Sequence, residues 1–399
     1  MTSGTRTAQA WQRDKYAIVG IGATDFSRRS GRSELTLATQ AAVAALADAG
    51  LSPSDVDGII RSDYDVVRPH ALAAALGVTN LSYWADAGPG GNAPCAMIGH
   101  AIGAIASGQA STVLAFRALN GRSGQRYGLS GPSNRRVGGD GSYDELAKPF
   151  GLLVAGQAYA LIAQRHMSEF GTTPEQLAQI PLACRRRANA NPAAQMRDRT
   201  LTLSDYLNAR MIATPLRLFD FCLESDGACA VVVTSLDRAK DCRQRPVLIS
   251  AVAQAAGPSP QPGLDISALM RPEITTLPAR DVAATLYARA GLGPTDIDVA
   301  QFYDCFSITV LMQLEDYGFC AKGEGGAFAA SGALDPGGAL PINTSGGNLS
   351  EGYIHGMSHI VEAVRQLRGQ STSQAIGAET CLVTSTALPP GSAMVLRSS

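Results

Sequence analysis

No stretch of the 399 residues approaches the run of about 20 apolar residues that crosses a bilayer. Met1 to Lys15 carries charges without the apolar centre of a secretory signal. A cytoplasmic protein with no membrane association is therefore expected. An excess of either charge is also missing. The formal net charge is −1, and no basic stripe is interleaved with aromatics, so a nucleic-acid partner is not expected. The eight cysteines, at 95, 184, 222, 229, 242, 305, 320 and 381, include no Cys-x-x-Cys pair and no histidines at zinc-finger spacing. They read as reduced, small core residues. There is no Gly-rich phosphate loop with its lysine, and Gly20-x-Gly22 is only a fragment of a dinucleotide fingerprint. No NAD, ATP, metal or other cofactor is called for.

What is present suits a compact α/β chain: 45% apolar residues, 17% charged residues and 42 glycines. The length exceeds what one hydrophobic core usually serves, so two packed halves are expected. An internal repeat supplies them. Residues 47–57 read Ala-Asp-Ala-Gly-Leu-Ser-Pro-Ser-Asp-Val-Asp, and residues 288–298 read Ala-Arg-Ala-Gly-Leu-Gly-Pro-Thr-Asp-Ile-Asp. In each copy an Ala-rich helix (34–49 with Ser33 as N-cap, and 281–290) ends at a glycine suited to the left-handed position, Gly50 or Gly291. A proline follows, then an apolar strand at 58–60 or 299–302, and each copy is preceded by a strand, at 16–22 and 246–252. Gly90-Gly91-Asn92 opens one Ala/Ile-rich helix. Gly346-Gly347-Asn348 opens another that runs through Ile360, Val361 and Val364. Residues 120–225, richer in Arg, Gly and Pro, do not continue the repeat and read as an inserted cap. The domain expectation is 14–119 with 226–241 for the first half, 120–225 for the cap and 246–399 for the second half.

Particular segments carry a family likeness: Ile18-Val-Gly-Ile-Gly-Ala-Thr-Asp-Phe26, Asn191-Pro192, Pro215-Leu-Arg-Leu-Phe-Asp220, Ser225-Asp-Gly-Ala228, Phe302-Tyr-Asp-Cys-Phe306, Gly318-Phe-Cys-Ala-Lys-Gly-Glu324 and the run from Leu340 to Gly356. With the duplicated halves, these resemble the thiolase superfamily, in its sterol-carrier-protein and lipid-transfer-protein type, and nearest to the actinobacterial steroid side-chain-cleaving aldolases. The resemblance implies an α/β thiolase fold layered α/β/α/β/α. It also implies a homodimer and a small partner with an OB fold and a zinc ribbon, of the kind that forms part of an acyl-CoA hydratase.

A thiolase needs a nucleophilic cysteine at a helix start, where the helix N-terminus lowers the thiol pKa. Counting back from Ala106-Ser-Gly-Gln109 puts that place near Gly91, one turn before Cys95, which then packs inside the helix. The family's polar catalytic positions fall on Tyr303, in Tyr-Asp-Cys-Phe, and on Tyr353, in Gly352-Tyr-Ile-His-Gly356. Two phenols without a thiol suit retro-aldol cleavage of a β-hydroxyacyl-CoA with a bulky steroid-like group, giving a ketone of 17-ketosteroid type and a short acyl-CoA such as propionyl-CoA. Such a cleavage needs a base for the β-hydroxyl, donors for the enolate and an acid for the α-carbon. Which tyrosine is the base stays open. A phenol acting as base needs nearby donors or positive charge. Asp304, Asn348 and His355 are the supporting candidates by their nearness in sequence. His100 and His359, on Ala/Ile-rich helices, read as core or interface residues, and Cys381 as a strand residue. Arg185, Arg186 and Arg187 suit either coenzyme A phosphates or a solvated face. Two alternatives stand beside the lyase: a Cys95-dependent acyltransferase, and a non-catalytic lipid- or acyl-CoA-binding protein.

Overall fold

The computed structural model describes residues 11–124, 126, 147–258, 260 and 268–399. The first half begins with strand β1 (Tyr16–Ala23), helix α1 (Glu34–Ala49) and strand β2 (Gly58–Ser62). It continues through α2 (Pro69–Leu76), β3 (Tyr83–Ala87), α3 (Ala93–Ala106) and β4 (Thr112–Asn120). The cap contributes α4 (Ala155–Phe170), α5 (Pro174–Ala190) and a small hairpin, β5 (Met211–Ala213) with β6 (Leu216–Arg217). Strand β7 (Asp226–Ser235) closes the first half. The second half is β8 (Val247–Ala255), α6 (Ala279–Ala290), β9 (Val299–Gln301), α7 (Ser307–Asp316), the single turn α8 (Gly347–Ser350), α9 (Met357–Arg368), β10 (Thr380–Ser385) and β11 (Gly391–Ser398).

The repeated sequence folds alike in both halves because its signals are local. The Ser33 hydroxyl accepts from Thr36 N at 3.1 Å to start α1, while Gly50 and Gly291 end α1 and α6 with φ of 73° and 63°. Pro53–Asp55 and Pro294–Asp296 then form matching 3₁₀ turns. Asp55 accepts from Ser52 N at 2.8 Å and Asp296 from Gly293 N at 2.7 Å, which accounts for the repeated Pro-x-Asp. Gly20 and Gly22 serve packing. A Cβ at either would lie 2.1 Å from a carbonyl oxygen of α1, so α1 rests directly on β1.

Among the described residues, nine strands form one sheet in the order β3-β2-β4-β7-β1-β8-β11-β10-β9. Within the sheet, among the described residues, the strands of the two halves pair through β1 and β8, at Ala17↔Leu248 and Ile18↔Val247. Three apolar clusters show how this sheet is layered. Met97, Ile98 and Ile102 of α3 and Ile360, Val361 and Val364 of α9 pack with Val231 and Val233 of the first half and Val383 and Leu396 of the second. These two helices therefore lie between the half-sheets. The outer face of the first half carries α1 over Val19, Leu114 and Val232, and that of the second carries α6 over Ala251, Ala253 and Val395. The result is α/β/α/β/α. Burying the second helix's apolar face between two sheets removes it from water on both sides, the dominant stabilising term of such a layer.

One expected element is divided. The chain after Gly346 makes a single turn and then breaks before α9 restarts at Met357. Gly346, His355 and Gly356 take φ of 112°, 49° and 79°, values a right-handed helix cannot contain. Tyr353 consequently sits in the bend between two helices.

The cap is tied to that bend. Arg185 Nε donates to Ser350 Oγ at 3.0 Å, and Asn191 Nδ2 to Ser345 O at 2.9 Å and Glu351 Oε1 at 3.2 Å. Gln195 N and Met196 N donate to the Glu351 and Ser350 carbonyls at 2.9 and 3.2 Å. Among the described residues no helix is long and apolar enough to cross a membrane.

Candidate active site

Tyr303 follows the end of β9, and its backbone is held on both sides. Its N–H donates to Thr384 Oγ1 at 2.8 Å, and its carbonyl accepts from Thr309 Oγ1 at 3.1 Å and Gln313 Nε2 at 2.9 Å. Tyr353 N donates to Ser225 Oγ at 2.9 Å. These anchors bring the two phenols together, with hydroxyls 3.0 Å apart across a sequence separation of 50. Tyr303 is buried at 3% exposure, whereas Tyr353 is half-buried and forms part of a cavity wall. Burial pushes both hydroxyls well above the ordinary phenol value, the neighbouring Cys305 adding to Tyr303 and Tyr303 adding to Tyr353. At neutral pH both carry their protons.

Gly91 lies in the 3₁₀ turn that leads into α3. A Cβ placed there would be 1.8 Å from the Tyr303 hydroxyl and 2.2 Å from Cζ. The phenol thus occupies the volume that a side chain at 91 would claim. Cys95 lies farther along, inside α3, with no exposed surface. Its Sγ donates to Val383 O at 3.4 Å and lies 3.3 Å from Ser385 Oγ, and burial pushes its thiol up to about 12. A thiol held so is neither ionised nor reachable. Cys381 is buried on β10, also pushed up by burial.

Of the supporting candidates, His355 lies against Tyr353, ring centroids 4.8 Å apart and nearly perpendicular, and its ring is also 6.2 Å from that of Tyr64. Asp304 and Asn348 meet each other rather than the phenols. Asp304 Oδ1 accepts from Asn348 N at 2.9 Å and from His359 Nε2 at 3.0 Å, and Oδ2 accepts from Leu349 N at 3.2 Å. The Asn348 amide is 3.2 Å from the same His359 nitrogen. This fully buried group fastens the strand end carrying Tyr303 to the turn before Tyr353. His359, read from sequence as a core residue, is buried and also completes this group. Its signal was available only as the first turn of α9, three residues after Gly356.

The cavity, of about 960 Å³, has Tyr353, Phe26, Phe219, Phe221, Phe306 and Leu349 in its walls. Arg28, Arg122, Arg126, Arg185, Arg199 and Arg210 also line it, Glu224 holding Arg126 at 2.8 Å. The three consecutive arginines divide: Arg185 reaches the cavity, Arg186 pairs with Asp335 at the surface and Arg187 is buried toward Leu334 O at 3.5 Å. Among the described residues no group of three His, Cys, Asp or Glu side chains is placed to hold a metal ion.

Residues 265–396 match the family described as Thiolase C-terminal domain-like. The chain is 45% identical over 382 residues to the 17-hydroxy-3-oxo-4-pregnene-20-carboxyl-CoA lyase of Mycobacterium tuberculosis, covering 95% of this chain and 98% of that one. The chain belongs to the thiolase superfamily. Within it, the chain is 44% identical over 383 residues to the steroid side-chain-cleaving aldolase of Thermomonospora curvata, covering 95% of this chain and 97% of the relative. Among solved structures it superposes on the Ltp2-ChsH2(DUF35) aldolase with a TM-score of 0.91 at 43% identity, covering 97% of this chain and 98% of the other. In this thiolase-fold chain, then, the start of the central helix α3 presents glycine and a phenol from the other half.

Proposed function

We infer that the chain is a carbon–carbon lyase that cleaves a steroid-type β-hydroxyacyl-CoA by a retro-aldol step, releasing a ketone and a short acyl-CoA such as propionyl-CoA. The observation that carries this reading is the pair of phenols 3.0 Å apart, Tyr353 in the cavity wall and the buried Tyr303 in the space a nucleophilic side chain at 91 would need. The high identity to the two lyases supports it. In the cleavage, the β-hydroxyl proton passes to the phenol oxygen of Tyr353, the half-buried member of the pair. The bond between α- and β-carbons breaks, its electron pair entering the thioester as an enolate, while the β-carbon becomes the ketone. A proton returned to the α-carbon completes the acyl-CoA, so the enzyme ends as it began. Because burial keeps both phenols protonated at rest, Tyr353 accepts that proton as it yields its own across the bond to Tyr303, whose own proton passes in turn to the α-carbon. His355, whose ring packs edge-on against Tyr353, is the donor this reading assigns to the thioester oxygen. These steps are proton transfers and ask for no cofactor beyond the coenzyme A of the substrate.

The aromatic walls suit the flat apolar ring system, and the arginines suit the phosphates of coenzyme A. A DUF35-type partner, a homodimer and a cytoplasmic setting complete the proposal, the first supported by the complex named in the superposed structure. The test is turnover of 17-hydroxy-3-oxo-4-pregnene-20-carboxyl-CoA, with and without a DUF35 protein, followed by mass spectrometry of both products. Binding without cleavage in both settings would replace the lyase with a non-catalytic acyl-CoA-binding protein.

A further inference from the structure

We propose that Gly91 and Gly356 are positioning residues that wall a slot for the Tyr303 ring and so set its hydroxyl against Tyr353. The proposal rests on the reading of the two phenols as the reacting pair. Gly91 faces the hydroxyl end of the ring, where a Cβ would lie 1.8 Å from the oxygen. Gly356 faces its side, where a Cβ would lie 2.8 Å from Cδ2 and 3.2 Å from Cε2. The two glycines come from different halves of the chain, 265 positions apart, and close on one ring.

The two differ in why glycine is there. Gly356 has φ of 79°, a conformation that favours glycine whatever surrounds it. Gly91 is absent from the positive-φ residues, so its backbone accepts any L-residue and its bare Cα is required for space alone. Neither backbone can retreat cheaply from an added methyl. On one side, the Gly90 carbonyl accepts from the fully buried Arg117 at 3.0 Å, Gly90 N donates to Asp63 at 3.2 Å and Asn92 Nδ2 donates to Leu388 O at 3.0 Å. On the other side, Thr384, Thr309 and Gln313 hold the Tyr303 backbone. The ring is the movable part, and moving it breaks the contact with Tyr353.

Gly91→Ala in the full-length chain, assayed with its partner where one is needed, is expected to lower kcat by about 100-fold, the scale of a misplacement near 1 Å, with KM changed by less than about threefold. A thermal cycle reads the slot without reference to activity. Gly91→Ala is expected to lower the Tm of the native chain by about 2 °C or more and to leave that of a Tyr303→Ala chain unchanged, because the ring it strikes is gone. Native kcat in Gly91→Ala, or an equal Tm loss in both backgrounds, would overturn the slot. Should Tyr303→Phe keep full cleavage, the phenol reading fails instead, and the thermal cycle still reports whether 91 and 303 share one volume.

Discussion

The sharpest test of the site removes one oxygen at a time. Tyr303→Phe and Tyr353→Phe keep both rings, so the walls of the cavity and the packing around Gly91 are retained. What is lost is the 3.0 Å hydroxyl contact and the proton each oxygen carries. Positioned proton transfer contributes about 10²–10⁴-fold, which is about 2.7–5.4 kcal/mol of barrier at 1.36 kcal/mol per tenfold. Leaving the partner hydroxyl without its bond costs about 1–3 kcal/mol, and this falls on stability rather than on the chemical step. If the phenols pass one proton between them, each single variant already breaks the chain of transfer. The double variant is then no slower than the slower single, because residues acting as a unit are non-additive. Independent acid and base roles would instead multiply, giving a loss of about 10⁴–10⁸ in the double variant. The measurement is single-turnover release of the ketone, with unfolding followed in parallel to separate activity from stability. Multiplicative losses would refute the shared proton path, and two fully active singles would refute the phenols altogether.

Cys95→Ala is expected to retain native kcat, and intact-protein mass spectrometry after incubation with acyl-CoA is expected to find no adduct; a Cys95 thioester would restore the acyltransferase. Arg199→Ala, which removes a cation from the cavity, is expected to raise KM for the CoA thioester by about tenfold, the weight of one charge-assisted phosphate contact, and to leave kcat within about twofold. Equal loss of kcat would place Arg199 elsewhere in the mechanism. Glu351 is pushed up to about 8 by burial, with Glu362 adding to the shift. The folded chain therefore holds a proton that the unfolded chain gives up at the ordinary carboxyl value. Its contribution to stability is complete below that value and is lost progressively as pH rises to about 8. Glu351→Gln should flatten the Tm–pH curve across this window, and an unchanged slope would refute the assignment.

The repeated strand–helix–strand unit is legible in the sequence because its signals are short-range. The Ser33 cap, the left-handed glycines at 50 and 291 and the Pro-x-Asp turns each act within a few residues, and neither copy needs the other to declare itself. The phenol pair was legible only through the family likeness, since nothing within five residues of Tyr303 points to Tyr353. Asp304 and Asn348 were named for nearness in sequence to the phenols, and space redirected them. Their shared partner His359 lies 55 positions from Asp304, on a helix whose sequence reads as core or interface. The break before α9 was missed because the left-handed geometry of His355 is imposed by its surroundings, not by local preference. The cavity arginines were out of reach for the same reason, converging from positions as distant as 28, 122, 199 and 210.

The site also shows why the missing thiol cannot be treated as a simple deletion. A side chain returned to position 91 would meet the Tyr303 hydroxyl at 1.8 Å, so acyl carrier and phenol compete for one space. The burial that makes room for the phenol also raises it well above its ordinary value, which removes a standing phenolate as base. A base that must stay protonated at rest can act only where a second group takes its proton as it receives the substrate's. In the proposed cleavage that base is Tyr353, which meets the cavity, and Tyr303 at 3.0 Å is the second group, passing its own proton on to the α-carbon. In the proposed cleavage, glycine at 91, burial of Tyr303 and a second phenol at 3.0 Å are therefore parts of one requirement: each loses its chemical purpose without the other two.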